Sequence, residues 1–236
     1  MSLRCRRCWA SFGLPGLGRC ATRAKIALVK VVVVDYGAGN LHSVSRAVVN
    51  AGTRPLVTSN PAYLNDAEAI IVPGVGAAAD TMANLRASGF VEPIREYISS
   101  GRPFLGVCMG QQALFTVSEE GGEHQCLGIL PGRVVRLPDG LKVPHMGWNQ
   151  VRIVRPHPIF EGIRDGSHFY FVHSYYPQPE DPSIVIGETE YGVTFPSVIA
   201  RDNIVATQFH PEKSGETGLR MYANFLRIAA KTGVAT

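Results

Sequence analysis

Residues 104–112 have the sequence Phe-Leu-Gly-Val-Cys-Met-Gly-Gln-Gln, in which a short apolar run leads directly into a polar segment. The run Phe104–Val107 predicts a buried strand, and the polar segment predicts a helix after it. Gly106 and Gly110 lie two positions before and after Cys108. They permit an abrupt turn between strand and helix, because glycine has no Cβ to clash there. This arrangement is typical of a nucleophile elbow.

The alternation of buried strands and helices extends toward the N-terminus. Fully apolar runs at Val31–Val34 and Ala69–Val72 predict strands that are covered on both faces, as in a parallel sheet. Helices are predicted at Leu41–Ala51, in one stretch that contains Leu85 and Ile98, and from Met109 to Val117. Strands and helices that alternate at this spacing indicate an α/β fold with a mostly parallel central sheet.

The pattern changes in the C-terminal half. Residues 128–154 predict short strands in antiparallel hairpins, because Pro and Gly interrupt the apolar runs. Further strands are predicted at 169–176 and 183–188, and a hairpin at 198–209 turns at Asp202-Asn203. A final helix places Leu219, Tyr222, Leu226 and Ala229 on one face. The predicted fold is therefore a three-layer α/β domain over residues 29–236, with helices on both faces of the sheet and antiparallel hairpins in its C-terminal half.

Residues 1–28 differ in composition from the rest of the chain. They contain six of the 23 basic side chains and none of the 19 acidic ones, so they account for the formal net charge of +4. The remaining residues give no electrostatic indication of a nucleic-acid partner. The segment is predicted to lie outside the domain as a disordered or non-native extension. Three interpretations of the segment remain open: an organelle transit peptide, sequence upstream of a natural start near Val29, or a genuine extension.

The longest apolar run excludes a membrane-spanning protein, and the cysteines argue against a zinc site and a disulfide framework. Lys30 interrupts the best candidate for a membrane span, which would need roughly 18 apolar residues, so no membrane association is expected. Cys5 and Cys8 have metal-ligand spacing, but no second pair follows, and no metal site is predicted. Cys108 and Cys126 are too few for a disulfide framework. A cytoplasmic location is therefore expected.

Cys108 is the candidate nucleophile. At a helix N-terminus the helix dipole and free amides favour the thiolate, which is the reactive form of cysteine. The amide of Met109 would point at an oxyanion that forms beside the sulfur. The alternative is a buried structural cysteine between glycines that serve packing.

A candidate base lies in Gln208-Phe209-His210-Pro211-Glu212, after a predicted strand. In an extended stretch, the side chains of His210 and Glu212 leave the same face. The carboxylate would accept the imidazole N–H, so that the other ring nitrogen can take a proton from Cys108. The alternative is a solvated loop histidine beside an unrelated glutamate.

The two motifs together resemble the class I glutamine amidotransferases, in which a G-x-C-x-G-x-Q elbow accompanies a distant H-P-E. Other segments are similar to the glutaminase subunits of imidazole glycerol phosphate synthase: Tyr36–Leu41, Pro73–Gly76, Pro144–Asn149, His173–Tyr175 and His210–Ser214. The resemblance runs from about Lys30 to the C-terminus.

This resemblance implies that Cys108, His210 and Glu212 form a catalytic triad that hydrolyses glutamine to glutamate and ammonia. It also implies a heterodimer with a (β/α)8-barrel cyclase subunit. That partner would use the ammonia to make imidazole glycerol phosphate and aminoimidazole carboxamide ribotide in histidine biosynthesis. No cofactor is expected, and the sequence contains no phosphate-binding loop.

The resemblance assigns further roles by position. Backbone amides at Val75 and Gly76 are expected to stabilise the oxyanion together with that of Met109. The positions that hold the glutamine substrate match Gln112, Glu120, Ser174 and Tyr175. The face toward the cyclase matches Asn40, Pro144, Met146, Trp148, Asn149 and Lys213. Glu120 could instead be a solvated charge, and Trp148 a core residue of a hairpin.

Two other functions remain open at this stage. Another triad glutaminase, such as that of pyridoxal phosphate synthase, would be expected to show G-G-E-S where this chain has Gly74-Val75-Gly76. A fused glutaminase would carry a synthase domain. A catalytically silent interaction module on the same fold would have no need of an intact Cys108, His210 and Glu212.

Overall fold

The computed structural model describes residues 29–37 and 39–232. The prediction for residues 1–28 therefore lies outside the described residues. Within the described residues, no helix is both long and apolar enough to cross a membrane.

Strands and helices alternate in the first part of the chain, and strands dominate the second. The strands are β1 Val31–Val34, β2 Leu56–Thr58, β3 Ala69–Val72, β4 Phe104–Val107, β5 Phe115–Ser118, β6 His124–Gln125, β7 Leu130–Arg136, β8 His145–Ile153, β9 Ser167–His173, β10 Tyr175–Pro179, β11 Val185–Glu190, β12 Thr194–Arg201 and β13 Ile204–Thr207. The helices are α1 Leu41–Ala51, α2 Ala78–Ala87, α3 Val91–Ser99, α4 Met109–Gln112 and α5 Gly215–Thr232. Short 3-10 turns lie at Pro61–Leu64, Pro158–Phe160, Pro182–Ile184 and Pro211–Lys213.

A nine-stranded mixed sheet forms the centre, in the order β2-β1-β3-β4-β13-β12-β11-β8-β9. Its strands pair in parallel from β2 to β13. From β13 to β9 they pair antiparallel. A second sheet has the order β10-β7-β5-β6. The predicted α/β class and the antiparallel C-terminal half are confirmed, although the antiparallel part of the central sheet is as wide as the parallel part. The hairpin expected within residues 128–154 is wrong, because β7 and β8 lie in different sheets, and the strand expected at 169–176 is two strands, β9 and β10, that also lie in different sheets.

The core lies on both faces of the central sheet, because its strands are apolar throughout. Val31 and Val33 pack in one cluster with residues of α1 and α5, whereas Val32 and Val34 pack in the other with residues of α2 and α3. Successive side chains of a strand point to opposite faces. This alternation produces the predicted three layers, and the large side chains Phe90, Phe104, Phe169, Phe225 and Tyr222 are fully buried within them.

Two predicted helices have different bounds in the structure. The single helix expected through Leu85 and Ile98 is two helices, because Gly89 adopts a φ of 72° and breaks the chain between α2 and α3. The helix expected from Met109 to Val117 ends at Gln112. The chain then enters β5 and pairs with β7 in the second sheet, where Val117 faces Arg133. Pairing with distant strands overrides the local helical pattern there.

The elbow at Cys108 depends on close contacts of the backbone. A Cβ at Gly110 would overlap the carbonyl oxygen of Val72, at the end of the neighbouring strand β3. A Cβ at Gly106 would lie 2.5 Å from the carbonyl oxygen of Gly110. Since both obstacles are backbone atoms, a larger residue would displace α4 from the end of the sheet.

Replacing Gly110 with alanine should therefore destabilise the protein by about 1–3 kcal/mol, the usual cost of inserting a methyl group into a packed interior. Thermal unfolding should show this as a loss of several degrees in Tm. Gly101→Ala is the control, because its Cβ would meet no atom within 4 Å and only its φ of 77° is unfavourable. Equal losses in the two variants would contradict the steric explanation.

Candidate active site

The site lies at the carboxyl ends of two adjacent parallel strands. Cys108 follows β4 directly, and its amide donates a hydrogen bond to the carbonyl oxygen of Thr207 at the end of β13 (2.7 Å). The register of β4 and β13 pairs Val107 with Thr207. The chain after β13 continues to His210. The two sequence motifs, about one hundred residues apart, therefore meet at one edge of the sheet.

Cys108 has the backbone geometry of a nucleophile elbow. Its φ of 54° and ψ of −104° make it one of two described residues other than glycine with positive φ. Non-glycine residues adopt such conformations only where the surroundings enforce them. Met109 is the first residue of α4, so its amide has no acceptor within the helix. Because α4 has only four residues, its dipole is smaller than the sequence predicts, and the free amide is the stronger contribution.

His210 and Glu212 are in contact, as predicted. The Nδ1 atom of His210 lies 2.8 Å from Oε1 of Glu212, and the two side chains are 2% and 1% exposed. The contact is not made by an extended strand, because Pro211 begins a 3-10 turn after His210. The other ring nitrogen of His210, Nε2, is buried and has no hydrogen-bond partner among the described residues. His210 and Cys108 line the same pocket.

The charge state of His210 follows from this setting. Burial alone would lower the pKa of His210, but negative charge on Cys108 and the contact with Glu212 outweigh it and raise the pKa to about 10. At neutral pH the imidazole is then protonated, and it lies beside the sulfur of Cys108. The arrangement can support an ion pair of sulfur and imidazolium, in which the sulfur is ready to attack and the imidazolium to donate a proton.

A pocket of about 120 Å³ surrounds the sulfur. The pocket wall contains all of the residues predicted for catalysis, the oxyanion and substrate binding except Glu212, which lies behind His210. The wall consists of Val75, Gly76, Cys108, Met109, Gln112, Glu120, Val172, His173, Ser174, Tyr175 and His210. Val172 and His173 are additions to the predicted set.

The segment Gly74-Val75-Gly76 forms a loop between β3 and α2, not a strand. Gly74 packs tightly, since a Cβ there would lie 2.5 Å from both Met109 Cβ and the hydroxyl of Tyr36. Tyr36 in turn donates a hydrogen bond to the carbonyl oxygen of Pro73 (2.9 Å). Gly76 has a φ of 97° with no atom within 4 Å of a Cβ position. The loop is thus fixed at Gly74 and open at Gly76, beside Met109.

The residues predicted to hold the substrate have defined contacts. Glu120 is not a free solvated charge, because its carboxylate accepts the amide N–H of Ala78 at the first turn of α2 (2.7 Å). Gln112 donates through Nε2 to the carbonyl oxygen of Tyr175 (2.9 Å) and to Oε1 of Gln208 (3.0 Å). Ser174 lies between β9 and β10, where the chain passes from one sheet to the other.

The predicted partner residues divide into exposed ones and half-buried ones with hydrogen bonds inside the chain. Met146 and Trp148 are 61% and 57% exposed, so the alternative of a core tryptophan is wrong. Pro144 and Lys213 are also exposed. The side chain of Asn149 turns inward, where its amide nitrogen donates to the carbonyl oxygen of Glu190 (2.9 Å). Asn40 caps α1 by accepting the amide N–H of Ser43 (3.4 Å).

Several buried polar residues beside the pocket were not predicted. Gln208 donates through Nε2 to the sulfur of Cys108 (3.7 Å). Tyr222 was predicted only as part of an apolar helix face. Burial raises the pKa of Tyr222 well above its usual value, and the nearby Glu212 carboxylate raises it further. His145 and His173 form a buried pair with a separation of 2.9 Å. His173 lies in the segment His173–Tyr175 that carries the family resemblance, but the sequence assigned it no role.

Among residues 29–37 and 39–232, no group of three or more His, Cys, Asp and Glu side chains could hold a metal ion.

Comparisons with known proteins identify the family. A sequence model of the family described as glutamine amidotransferase class-I matches residues 32–229. The chain belongs to the class-I glutamine amidotransferases. Among curated relatives in this family, one from Syntrophotalea carbinolica is 54% identical over 83% of this chain and 98% of its own. One from Dehalococcoides mccartyi is 53% identical over 84% and 97%. Both carry the name imidazole glycerol phosphate synthase subunit HisH.

Solved structures of other proteins share the fold. PurLQS from Thermotoga maritima matches 85% of this chain and 98% of its own with a TM-score of 0.67 and 17% identity. The glutaminase domain of CTPS from Trypanosoma brucei, solved with bound acivicin, matches 86% and 94% with a TM-score of 0.60 and 17% identity.

The geometry of the site predicts selective reactivity of Cys108. Iodoacetamide at pH 7 should modify Cys108 at least tenfold faster than Cys126, although both are buried. Burial raises the pKa of the Cys126 thiol to about 11, so it stays protonated. His210→Asn should slow modification of Cys108, because the imidazolium that holds the thiolate is lost.

Peptide mapping by mass spectrometry measures the two rates in one sample. Faster modification of Cys126, or an unchanged Cys108 rate in His210→Asn, would exclude the ion pair.

Proposed function

We propose that this chain is the glutaminase subunit of an imidazole glycerol phosphate synthase. It hydrolyses glutamine to glutamate and ammonia with Cys108, His210 and Glu212 as catalytic residues. The observation that carries the proposal is the meeting of the elbow thiol and the buried His210–Glu212 pair in one pocket. Relatives at 54% and 53% identity with the HisH name support the choice of pathway.

The chemistry follows from the arrangement of donors and acceptors. The thiolate of Cys108 attacks the side-chain amide carbon of glutamine, and the amide of Met109 faces the oxyanion that forms. His210 gives its proton to the departing ammonia, which leaves a thioester on the sulfur. His210 then takes a proton from a water molecule, which attacks the thioester and releases glutamate. Glu212 holds the imidazole in one orientation through both steps.

The remaining wall of the pocket suits an amino acid that carries both charges. The carboxylate of Glu120 is available to an ammonium group, since its other oxygen binds the amide of Ala78. The loop from Gly74 to Gly76 lies beside Met109, and glycine at position 76 gives its backbone conformational freedom. Both groups are proposed to bind glutamine, together with the Ser174–Tyr175 segment.

The partner is proposed to be a cyclase subunit of (β/α)8-barrel fold, in the cytoplasm. Met146 and Trp148 are large apolar side chains that point into solvent from β8. The ring of Trp148 packs edge-on against Tyr170 at 6.1 Å, and the carbonyl oxygen of Tyr170 accepts the amide of His210 (3.0 Å). This apolar surface therefore lies close to the pocket. A partner docked there would receive ammonia before water can protonate and dilute it.

The triad assignment predicts a separation of the two activities. Cys108→Ala should abolish glutamine hydrolysis by the assembled enzyme, whereas product formation with added ammonium salt should continue, because the cyclase chemistry is untouched. Cys126→Ala is the matched control, since it removes a buried thiol away from the pocket. Steady-state assays with glutamine and with ammonium measure both activities. Glutamine hydrolysis near wild-type level in Cys108→Ala would refute the assignment.

The docking surface predicts a second result. Trp148→Ala should weaken binding to the cyclase subunit by at least tenfold, since buried aromatic side chains contribute most at such interfaces. Tyr63→Ala is the control, because Tyr63 is similarly exposed (49%) but lies near Lys30 at the start of β1, at the opposite edge of the sheet. Isothermal titration calorimetry gives both affinities. Unchanged binding of Trp148→Ala would place the partner on another surface.

A further inference from the structure

His145, the first residue of β8, and His173, the last residue of β9, form a buried pair beside the pocket. The register of β8 and β9 sets His145 opposite His173, and Nδ1 of His145 lies 2.9 Å from Nε2 of His173. Their exposed fractions are 3% and 6%. His173 lines the pocket, whereas His145 lies behind it.

The hydrogen bonds at both ends fix which nitrogen carries each proton. Nδ1 of His173 lies 2.9 Å from the carbonyl oxygen of Tyr175, which can only accept, so this nitrogen donates. In a neutral ring its Nε2 must then accept, and Nδ1 of His145 must donate to it. Nε2 of His145 accepts in turn from the amide nitrogen of Asn149 (3.2 Å). The result is a one-way chain from Asn149 to Tyr175.

Both rings are neutral at pH 7. Burial lowers the pKa of His145 to about 4 and that of His173 to about 3. A proton added to either ring would set two N–H groups against each other or against the amide of Asn149. The chain of donors is therefore complete only in the neutral state.

The end of this chain is a corner of the pocket wall. The carbonyl oxygen of Tyr175 also accepts a hydrogen bond from Nε2 of Gln112. Because Gln112 is the last residue of α4, this bond joins the corner to that helix. At Ser174 the chain leaves the central sheet, and at Tyr175 it enters the second sheet. Two partly buried hydrogen bonds to the carbonyl group of Tyr175, together with the amide of Leu137 that donates to the carbonyl oxygen of Ser174 (2.9 Å), hold the corner in position.

We propose that His145 is a positioning residue for glutamine binding, which acts through His173 to hold the Ser174–Tyr175 corner against the substrate. The inference rests on the proposed glutaminase function. His145 does not line the pocket, so it can affect substrate binding only through its neighbours, and of these His173 lines the pocket. The ring of His145 also stacks on Tyr191 (4.0 Å) and Phe171 (4.9 Å), which is a separate packing role.

Two variants separate the hydrogen bond from the packing. His145→Phe keeps an aromatic ring between Tyr191 and Phe171 but removes the donor to His173. His145→Asn keeps a donor near the position of Nδ1 but loses the stacking. We expect KM for glutamine to rise at least tenfold in His145→Phe with less than a threefold change in kcat, and to return to within threefold of wild type in His145→Asn.

A packing role alone gives the opposite order, with His145→Asn the more impaired variant, and that result would overturn the inference. Wild-type KM in His145→Phe would overturn it as well. If the wild-type assembled enzyme does not hydrolyse glutamine, the proposed function is refuted, and the inference with it.

A second measurement does not depend on activity. Long-range proton–nitrogen spectra of the full chain with 15N-labelled histidine at pH 7 should show two neutral rings protonated at Nδ1. One of these signals should disappear in His145→Phe, which assigns it. A ring of His173 protonated at Nε2, or charged, would overturn the inference even if the enzyme hydrolyses glutamine.

Discussion

The contact between Gly110 and the carbonyl oxygen of Val72 decides where the sulfur of Cys108 lies. Because no side chain separates the two backbones, α4 sits directly on the end of β3, and the turn before it is forced into the positive φ of Cys108. The neighbouring strand β13 is held beside β4 by parallel pairing, so the chain that follows it arrives within reach of the sulfur. Chemistry at this edge is a consequence of packing between three adjacent strands.

The first half of the fold could be predicted from the sequence because its signals are local. Three of its strands are apolar without interruption: Val31–Val34, Ala69–Val72 and Phe104–Val107. Such a run predicts a buried strand whatever element it packs against. The strand at Phe115–Ser118 could not be predicted, because the same residues also suit a helix. Only pairing with β7, which begins at Leu130, selects the strand. Distant pairing is invisible in a local pattern.

The features of the site likewise divide into those that a local pattern indicates and those that depend on distant pairing. Cys108, His210 and Glu212 could be recognised because elbow and turn chemistry restrict the residue types at short spacing. His145 and His173 both lie in segments that carry the family resemblance, but their pairing could not be predicted, since 28 positions separate them. Strand register, which depends on the whole β8–β9 hairpin, brings them into contact. A motif can therefore indicate that a segment matters without indicating which of its residues meet.

The cost of this arrangement indicates that it serves chemistry. His210 and Glu212 are almost fully buried, and the second carboxylate oxygen of Glu212 has no hydrogen-bond partner among the described residues. An apolar pair of similar size would often be as stable or more stable, because desolvation of charges offsets their attraction. Instead, His210 lies beside the sulfur of Cys108 in a small pocket, and the carboxylate of Glu212 contacts its Nδ1. A fold that needed only stability would gain nothing from these groups, so their presence argues for a reaction at the Cys108 sulfur.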